Sequence, residues 1–192
     1  MTKLLLILIL TLSFQSPANT DDIRDFQIEG MSIGDSLLDF ITNNEIKNSK
    51  KATNYKSKKY ETAYIKLPQN TYEILKVSYK RKDKSYEIHG ISGILLFKKS
   101  INECYSKLNK ILLEASKVFK NTQNTKKIFP HPVDKSGKTT VTNHRFKLDD
   151  GSFGIGCVDY SKKMESKGKL DHLRVALMTL SYNDWLNNEA YK

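Results

Sequence analysis

Cysteine is scarce in this sequence, which contains only Cys104 and Cys157. Two thiolates are too few for the tetrahedral zinc centre that structural domains usually build, so a site of that kind is excluded. In an oxidising compartment a single pair of cysteines indicates a disulfide. We therefore predict a bond between them rather than a metal site or a reactive thiol.

Long apolar runs are also missing, apart from one near the N-terminus. Residues 4–12 are almost wholly aliphatic, follow one lysine and precede the small residues Ser16 and Ala18. The run falls well short of the roughly 20 residues that span a bilayer, which argues against a membrane anchor. The pattern is typical of a secretory signal peptide. We predict a signal peptide at 1–18, a periplasmic or secreted domain at 19–192 and no membrane span in that domain.

Acidic residues are outnumbered by basic ones, with 21 Asp and Glu against 32 Lys and Arg. Such an excess often indicates nucleic-acid binding. Here only four of the basic residues are Arg, the side chain that phosphates and bases favour, and export removes the protein from cytoplasmic nucleic acid. We expect no nucleic-acid partner. Two explanations stay open: the codon bias of an AT-rich genome, or affinity for an anionic envelope component such as lipid headgroups or acidic polymers.

Catalytic motifs are absent as well. Residues 134–139 resemble the end of a phosphate-binding P-loop, but Pro132 stands where that motif needs glycine, and a strand follows instead of a helix. The glycine-rich residues 151–156 lie inside a predicted hairpin rather than between a strand and a helix. The four histidines show no metal-binding spacing; they are His89, His131, His144 and His172. We predict no catalytic residues, metal or cofactor, although an enzyme is not excluded.

The pattern of elements predicts an α+β fold. Ser100 begins the clearest helix, whose apolar stripe includes Cys104 and Leu108. The Asp150-Gly151 pair is a strong two-residue turn signal and predicts a hairpin. Strands and helices alternate as two helix-plus-hairpin units, so we predict an antiparallel sheet with helices on one face. The possible sub-units are 25–98 and 99–192.

Other local predictions concern the segments between these elements. Ser32 is placed to begin a helix, and the lysine-rich stretch 46–60 is predicted to be a solvated, mobile connection, with an anion-binding arm as the alternative. We expect a strand over 85–89, followed by a bend or bulge at Gly90 and Gly93.

The loop predicted for residues 121–140 is the best candidate for a functional surface, because structureless loops of this length are uncommon in compact domains. A merely mobile connection is the alternative. The candidate binding residues of this loop are His131, Asp134, Lys135, Ser136 and Lys138.

The expected disulfide follows from the faces of two elements. Cys104 lies on the apolar stripe of the long helix, and Cys157 shares a strand face with Phe153 and Ile155. Both thiols are then directed into one core. We predict that Cys104 and Cys157 form a buried, structural disulfide.

Two resemblances carry further expectations. The segments 26–38 and 131–138 resemble a family of uncharacterised exported proteins of small-genome marine bacteria, which implies export but no known activity. The opening Gly30-Met31-Ser32, with a strand before it and a predicted helix after it, resembles outer-membrane assembly lipoproteins of the SmpA/OmlA type. Those proteins are non-enzymatic α+β modules, although this chain lacks their lipidated cysteine and the Gly-x-Pro after the helix.

The absence of a coherent catalytic set favours a non-enzymatic periplasmic binding or interaction module. Its partner would be an anionic envelope component or another periplasmic protein. The alternatives are a cell-envelope hydrolase with a site assembled from scattered residues, and a secreted protein inhibitor. A deep pocket with convergent polar groups would favour the hydrolase.

Overall fold

A computed structural model of the protein describes residues 22–52, 54–67, 71–98, 100–120, 122–132 and 134–192. The predicted signal peptide at 1–18 lies outside these residues. The strands along the chain are β1 (Gln27–Ile28), β2 (Met31–Ser32), β3 (Tyr60–Ile65), β4 (Ile74–Lys80), β5 (Gly90–Phe97), β6 (Asn124–Pro130), β7 (Thr140–Lys147), β8 (Gly151–Asp159) and β9 (Asp171–Thr179). The α-helices are α1 (Asn43–Asn48), α2 (Ile101–Val118), α3 (Lys162–Glu165) and α4 (Leu180–Asn188).

Seven of these strands form one antiparallel sheet in the order β3-β4-β5-β9-β8-β7-β6. The pairing of β5 with β9 joins the first half of the chain to the second. Strands β1 and β2 make a separate two-stranded hairpin. The predicted α+β class with an antiparallel sheet is confirmed.

Helix α2 covers one face of the sheet. The side chain of Ser100 caps the first turn of α2 by accepting a hydrogen bond from the backbone N–H of Asn102. The buried stripe of α2, which includes Leu108 and Ile111, packs in one core with Val175 and Leu177 of β9. The 3.6-residue period of α2 and the two-residue period of β9 thus direct the apolar side chains of both elements into the same core.

Helix α4 packs on the opposite face. Along β9, Ala176 and Met178 alternate with the residues that face α2, and both belong to a second cluster with Tyr182 and Trp185 of α4. The hydroxyl of Ser78 donates to the hydroxyl oxygen of Tyr182 at 2.8 Å, which fixes α4 over the first strands. The helices therefore do not all share one face of the sheet.

The helix predicted after Ser32 does not form. Its capping contact is present, since Asp35 accepts a hydrogen bond from the Ser32 backbone at 2.7 Å. Gly34, however, has a φ of 92°, and its N–H donates to the Ile88 carbonyl, so the chain turns away from a helical path. Only a short 3₁₀ helix follows, at Leu37–Asp39. The segment that resembles the SmpA/OmlA-type lipoproteins therefore lacks the α-helix expected after Ser32.

The prediction of a mobile connection over 46–60 is wrong for its first part. Thr42 and Glu45 form a capping box at the start of α1, and Ile46 is fully buried. Beyond α1, the backbone of Lys50 and Ala52 is hydrogen-bonded to β3. This segment therefore covers the outer edge of β3.

The bend predicted at Gly90 and Gly93 is absent, because β5 runs regularly from Gly90 to Phe97. The strand predicted over 85–89 does not form either, and Glu87 makes only an isolated bridge to Ser36. Close packing explains both glycines. A Cβ at Gly93 would lie 2.5 Å from the ring of Tyr72, and one at Gly90 would lie 2.6 Å from the ring of Tyr182.

The hairpin of β7 and β8 forms, but its turn lies one residue earlier than predicted. Lys147 pairs with Ser152, and the N–H of Leu148 donates to the carbonyl of Gly151, which leaves residues 149–150 as the turn. Gly151 is needed for packing, since a Cβ there would lie 2.5 Å from the Met178 carbonyl oxygen.

The loop predicted over 121–140 is largely replaced by β6, which pairs along its whole length with β7. Residues of β6 are exposed on both faces, so the two-residue burial pattern that marks a strand is missing there. The prediction failed because nothing in the local sequence distinguishes such an edge strand from a polar loop.

Candidate binding face

The sheet face under α4 is only partly covered by that helix. Residues that are paired across antiparallel strands project on the same side, so the registers define rows of neighbouring side chains. Helix α4 lies over one row, where Tyr182 contacts Ser78 and Asn183 donates to Ser152. Three further rows, which we call the open face, continue beyond it, although Ala176 in the first of them still packs in the α4 cluster. The first row is Tyr64, Lys76, Ser92, Ala176, Gly154, Arg145 and Thr125; the second is Ile74, Ile94, Arg174, Gly156, Asn143 and Lys127; the third is Leu96, His172, Val158, Val141 and Phe129.

The open face carries positive charge and no acid. Lys76, Arg145, Arg174 and Lys127 lie in its rows, which contain neither Asp nor Glu. In the part of the chain that the structure describes, the ion pairs within 4.0 Å involve none of these four cations. Arg174 and Lys127 are exposed, while Lys76 and Arg145 are half-buried. The face is therefore a cationic surface without internal counterions.

Like charges influence one another across this face. Burial, together with the nearby charges of Arg174 and Lys169, lowers the pKa of Lys76 to about 8. Burial and the charge of Arg174 also lower the pKa of Arg145. An anion bound between these groups would relieve this repulsion, so the electrostatics favour an anionic ligand.

Two contacts hold the cationic side chains in place. The guanidinium of Arg174 donates to the hydroxyl of Ser92 through Nε at 3.1 Å and Nη2 at 3.0 Å. The Nζ of Lys76 lies 5.2 Å from the ring centre of Tyr64, and the Nζ of Lys50 lies 5.9 Å from the same ring. These distances suit cation–π contacts and extend the positive surface to the edge of β3.

Aromatic and imidazole rings meet at one end of the open face. The ring of Tyr160 lies 5.9 Å from that of His131 and 5.8 Å from that of His172. Burial lowers the pKa of both histidines, that of His172 to about 4. Both rings are therefore neutral at neutral pH. His131, a predicted binding residue, lies beside the open face rather than in a free loop.

The other predicted loop residues follow β6 in a compact turn. The buried carboxylate of Asp134 accepts hydrogen bonds from the hydroxyls of Ser136, Thr139 and Ser161 at 2.7–2.8 Å, and these bonds hold its pKa well below the usual range. Lys135, Ser136 and Lys138 are exposed. A ligand at this turn would meet the lysines, because the Asp134 oxygens are already occupied.

A cleft of about 980 Å³ lies between this turn and α3. Ser136 and Lys138 line it, together with Asp159 and Asp171. Burial raises the pKa of Asp159, and the charge of Asp171 adds to the effect. Lys162 and Glu165 form an ion pair at 2.8 Å on its rim, so positive and negative charges are mixed. Within the described ranges, no group of three His, Cys, Asp or Glu side chains could hold a metal ion.

The sequence analysis did not identify Lys76, Arg145 and Arg174 as site residues. A signal was present, since Lys76 stands between Leu75 and Val77, and Arg174 between Leu173 and Val175. A cation at an alternate position of an apolar strand indicates a sheet face that solvent or a ligand reaches. Which cations share that face depends on the strand order, which the sequence does not reveal.

Comparison with known proteins assigns no family to the chain. No family model matches it, and no curated protein or solved structure does either. The described residues also include no helix that is long and apolar enough to cross a membrane. The functional interpretation consequently depends on the geometry and charge of the site itself.

Proposed function

We propose that the protein is a non-enzymatic binding module outside the cytoplasm, and that its open face binds an anionic component of the cell envelope. One observation carries the proposal. Lys76, Arg145 and Arg174 share an accessible sheet face that has no carboxylate in its rows. Side chains of one charge without counterions concentrate ligands of the opposite charge.

The disulfide supports the proposed compartment. Cys104 and Cys157 are bonded, and such bonds persist in the periplasm and outside the cell but are rare in the cytoplasm. The predicted signal peptide at 1–18 agrees with export.

A hydrolase is the second candidate, and the cleft beside α3 favours it. Its carboxylates, Asp159 and Asp171, approach closely enough for one to raise the pKa of the other, as acid–base pairs do. The open face remains the better candidate because its charge is of one sign, whereas the cleft is partly neutralised by its own ion pair.

The test of the proposal asks whether the position of the positive charges matters, or only the net charge of the protein. The triple variant Lys76→Gln, Arg145→Gln and Arg174→Gln removes three charges from the open face. We expect it to elute from a phosphate-bearing cation-exchange resin at much lower salt than the wild type. The measurement is the salt concentration at elution, together with a thermal unfolding curve that shows the variant is folded.

The matched control removes the same net charge elsewhere. Lys82, Lys84 and Lys110 are exposed and make no ion pair within the described residues. Their replacement by Gln should leave retention close to that of the wild type. Equal losses in the two triple variants would reject the open face as a binding site. Release of soluble fragments from purified envelope polymer, abolished by Asp159→Asn, would favour the hydrolase instead.

A further inference from the structure

Strand β6 forms one margin of the sheet, and its outer side is open. It is the last strand in the order β3-β4-β5-β9-β8-β7-β6, and within the described ranges it pairs with β7 alone. The opposite margin differs, because the backbone of Lys50 and Ala52 is hydrogen-bonded to β3. All seven residues of β6 are exposed. The backbone along its outer side is therefore accessible to another chain.

The hydrogen bonds to β7 identify the backbone groups of β6 that point outwards. In an antiparallel ladder, successive residues direct their N–H and C=O groups alternately towards the partner strand and away from it. Next to β6, the N–H of Lys147 donates to the carbonyl of Gln123, and the register continues without interruption to Pro130. The odd-numbered residues thus face β7, whereas Lys126 and Ile128 each direct an N–H and a C=O outwards. Pro130 also lies in the outward series, so the ladder with β7 does not need the N–H that proline lacks.

The side chains of β6 project alternately from the two faces of the sheet. Lys127 and Phe129 lie in rows of the open face, whereas Lys126 and Ile128 project from the face that α2 covers. Ile128 is 64% exposed and Phe129 is 42% exposed, and no other large apolar side chains exposed in the described part of the chain are adjacent in sequence. Each face of this edge therefore presents one lysine and, two residues further on, one apolar side chain.

Both strands at this margin are basic and contain no acid. Strand β6 carries Lys126 and Lys127, and β7 adds Arg145 and Lys147, without Asp or Glu in either strand. The ion pairs within 4.0 Å that the described residues form include none of these four cations. A second copy of β6 would bring its own lysines to this edge, and like charges opposite each other are destabilising. A strand with carboxylates at the facing positions is attracted instead.

The division of charge between the two faces favours a polypeptide over other anions. Lys126 and Lys127 lie on opposite sides of the sheet, so a membrane surface or a polyanion that lies on one face meets only one of them. An added strand reaches both, because its own side chains alternate between the faces. It also bonds to the outward backbone groups of Lys126 and Ile128, and such main-chain hydrogen bonds supply affinity when a peptide adds to a sheet edge.

We propose that β6 binds an extended acidic segment of another protein as an additional strand of the sheet. The added strand runs antiparallel to β6, the more stable of the two orientations, with carboxylates opposite Lys126 and Lys127 and apolar side chains opposite Ile128 and Phe129. The site includes two residues of the open face, but it does not require that face to bind an anion. It therefore stands independently of the function proposed above.

The first experiment locates the added strand by NMR with isotopically labelled protein. The probe is the peptide Thr-Val-Val-Glu-Glu-Thr with blocked ends, whose valines face Phe129 and Ile128 and whose glutamates face Lys127 and Lys126 in the antiparallel orientation. At saturating peptide we expect amide hydrogen exchange to slow at Lys126 and Ile128, the outward positions. Exchange at Lys127 and Phe129 should change little, because their amides are already bonded to β7.

Two results of this experiment would overturn the proposal. One is unchanged exchange throughout β6. The other is a set of peptide-induced shifts confined to Lys76 and Arg174, which would place the acidic peptide on the open face. That second result would leave the function proposed above standing, so the two proposals fail separately.

The second experiment exchanges the charges. The wild type should bind the acidic peptide about tenfold more tightly than Thr-Val-Val-Lys-Lys-Thr, since two cross-strand pairs change from opposite to like charge. Lys126→Glu with Lys127→Glu should invert this preference. Lys82→Glu with Lys84→Glu makes the same change of net charge in an exposed turn and should retain it. An uninverted preference in the β6 variant would overturn the proposal.

The third experiment separates backbone pairing from charge. Ile128→Pro removes an outward N–H that the sheet does not use, whereas Ile128→Ala shortens the side chain and keeps the N–H. We expect Ile128→Pro to bind the acidic peptide at least fivefold more weakly than Ile128→Ala, with thermal unfolding curves showing that both variants are folded. Equal binding by the two variants would show that charge alone holds the peptide and would overturn strand addition.

Discussion

The disulfide between Cys104 and Cys157 joins helix α2 to strand β8 across the main core. Both residues are fully buried, and their Cα atoms are 6.1 Å apart. The bond links residues that are 53 positions apart in the chain. A cross-link of that length restricts the unfolded chain far more than the folded one, so its main contribution is to stability.

Removal of this bond should destabilise the protein strongly. The chain-entropy model gives about 4 kcal/mol for a loop of this size. We expect Cys104→Ala with Cys157→Ala to lower the urea midpoint by a corresponding amount, and thiol titration of the unfolded, unreduced wild type to find no free cysteine. Identical midpoints for wild type and variant would show that the bond does not stabilise the fold.

Single residues differ in how far their roles were predictable. The cysteine pair was predicted correctly, because a helix stripe and a strand face each fix the direction of a side chain locally. Gly93 was misread as a bend, because its role depends on the ring of Tyr72, which packs against it from a different part of the chain. A local pattern reveals that glycine is present but not what lies opposite its missing Cβ.

Among the elements, the two edge strands of the sheet are protected differently. The β3 edge is covered by residues 50–52, which hydrogen-bond to it. Strand β6 has its full length exposed, including Ile128 and Phe129. Its charged residues are Lys126 and Lys127, and lysine on an edge strand hinders pairing with another chain.

We therefore expect these lysines to prevent association through β6. Lys126→Thr with Lys127→Val should lower the protein concentration at which light scattering detects assemblies, since the edge then has high β-propensity and no charge. The control, Lys82→Thr with Lys84→Val, makes the same changes in an exposed turn and should scatter like the wild type. Equal scattering by both double variants would show that edge charge does not limit association.

Element prediction succeeded where periodicity was strong and failed at the sheet margin. Helix α2 has a clear apolar period and was expected to begin at Ser100, which the structure shows as its N-cap. The β6 sequence has no such period. The turn at residues 149–150 was shifted because Gly151 was taken as a turn glycine, although it is required by the approach of Met178.

At the scale of the whole molecule, the site depends on strand order. Lys76 and Arg174 become close neighbours only because β5 pairs with β9, a contact between distant parts of the chain. Local patterns predict which residues alternate on a strand, but long-range pairing decides which strands share a sheet. This is why the fold class was predictable from the sequence and the open face was not.

Burial of the histidines makes the stability of the whole molecule depend on pH. Burial lowers the pKa of all four histidines below the model-compound value of 6.5, and that of His172 to about 4. As pH falls below 6.5, the unfolded chain takes up protons that the folded protein resists, so the free energy of unfolding must decrease. For His172 we expect a loss of about 3 kcal/mol by pH 4.

Urea denaturation measured in steps from pH 7 to pH 4 tests this dependence. The wild type should lose stability throughout this range, and His172→Leu should lose less, because Leu96 and Val158 flank the site with apolar side chains and leucine binds no proton. Asp134 acts at lower pH. The pKa of Asp134 is held below the usual 3.8 by hydrogen bonds from Ser136, Ser161 and Thr139, so its contribution is present above that pH and is lost only as pH falls further. If His172→Leu and the wild type show the same loss between pH 6.5 and pH 4, proton uptake by His172 does not drive it.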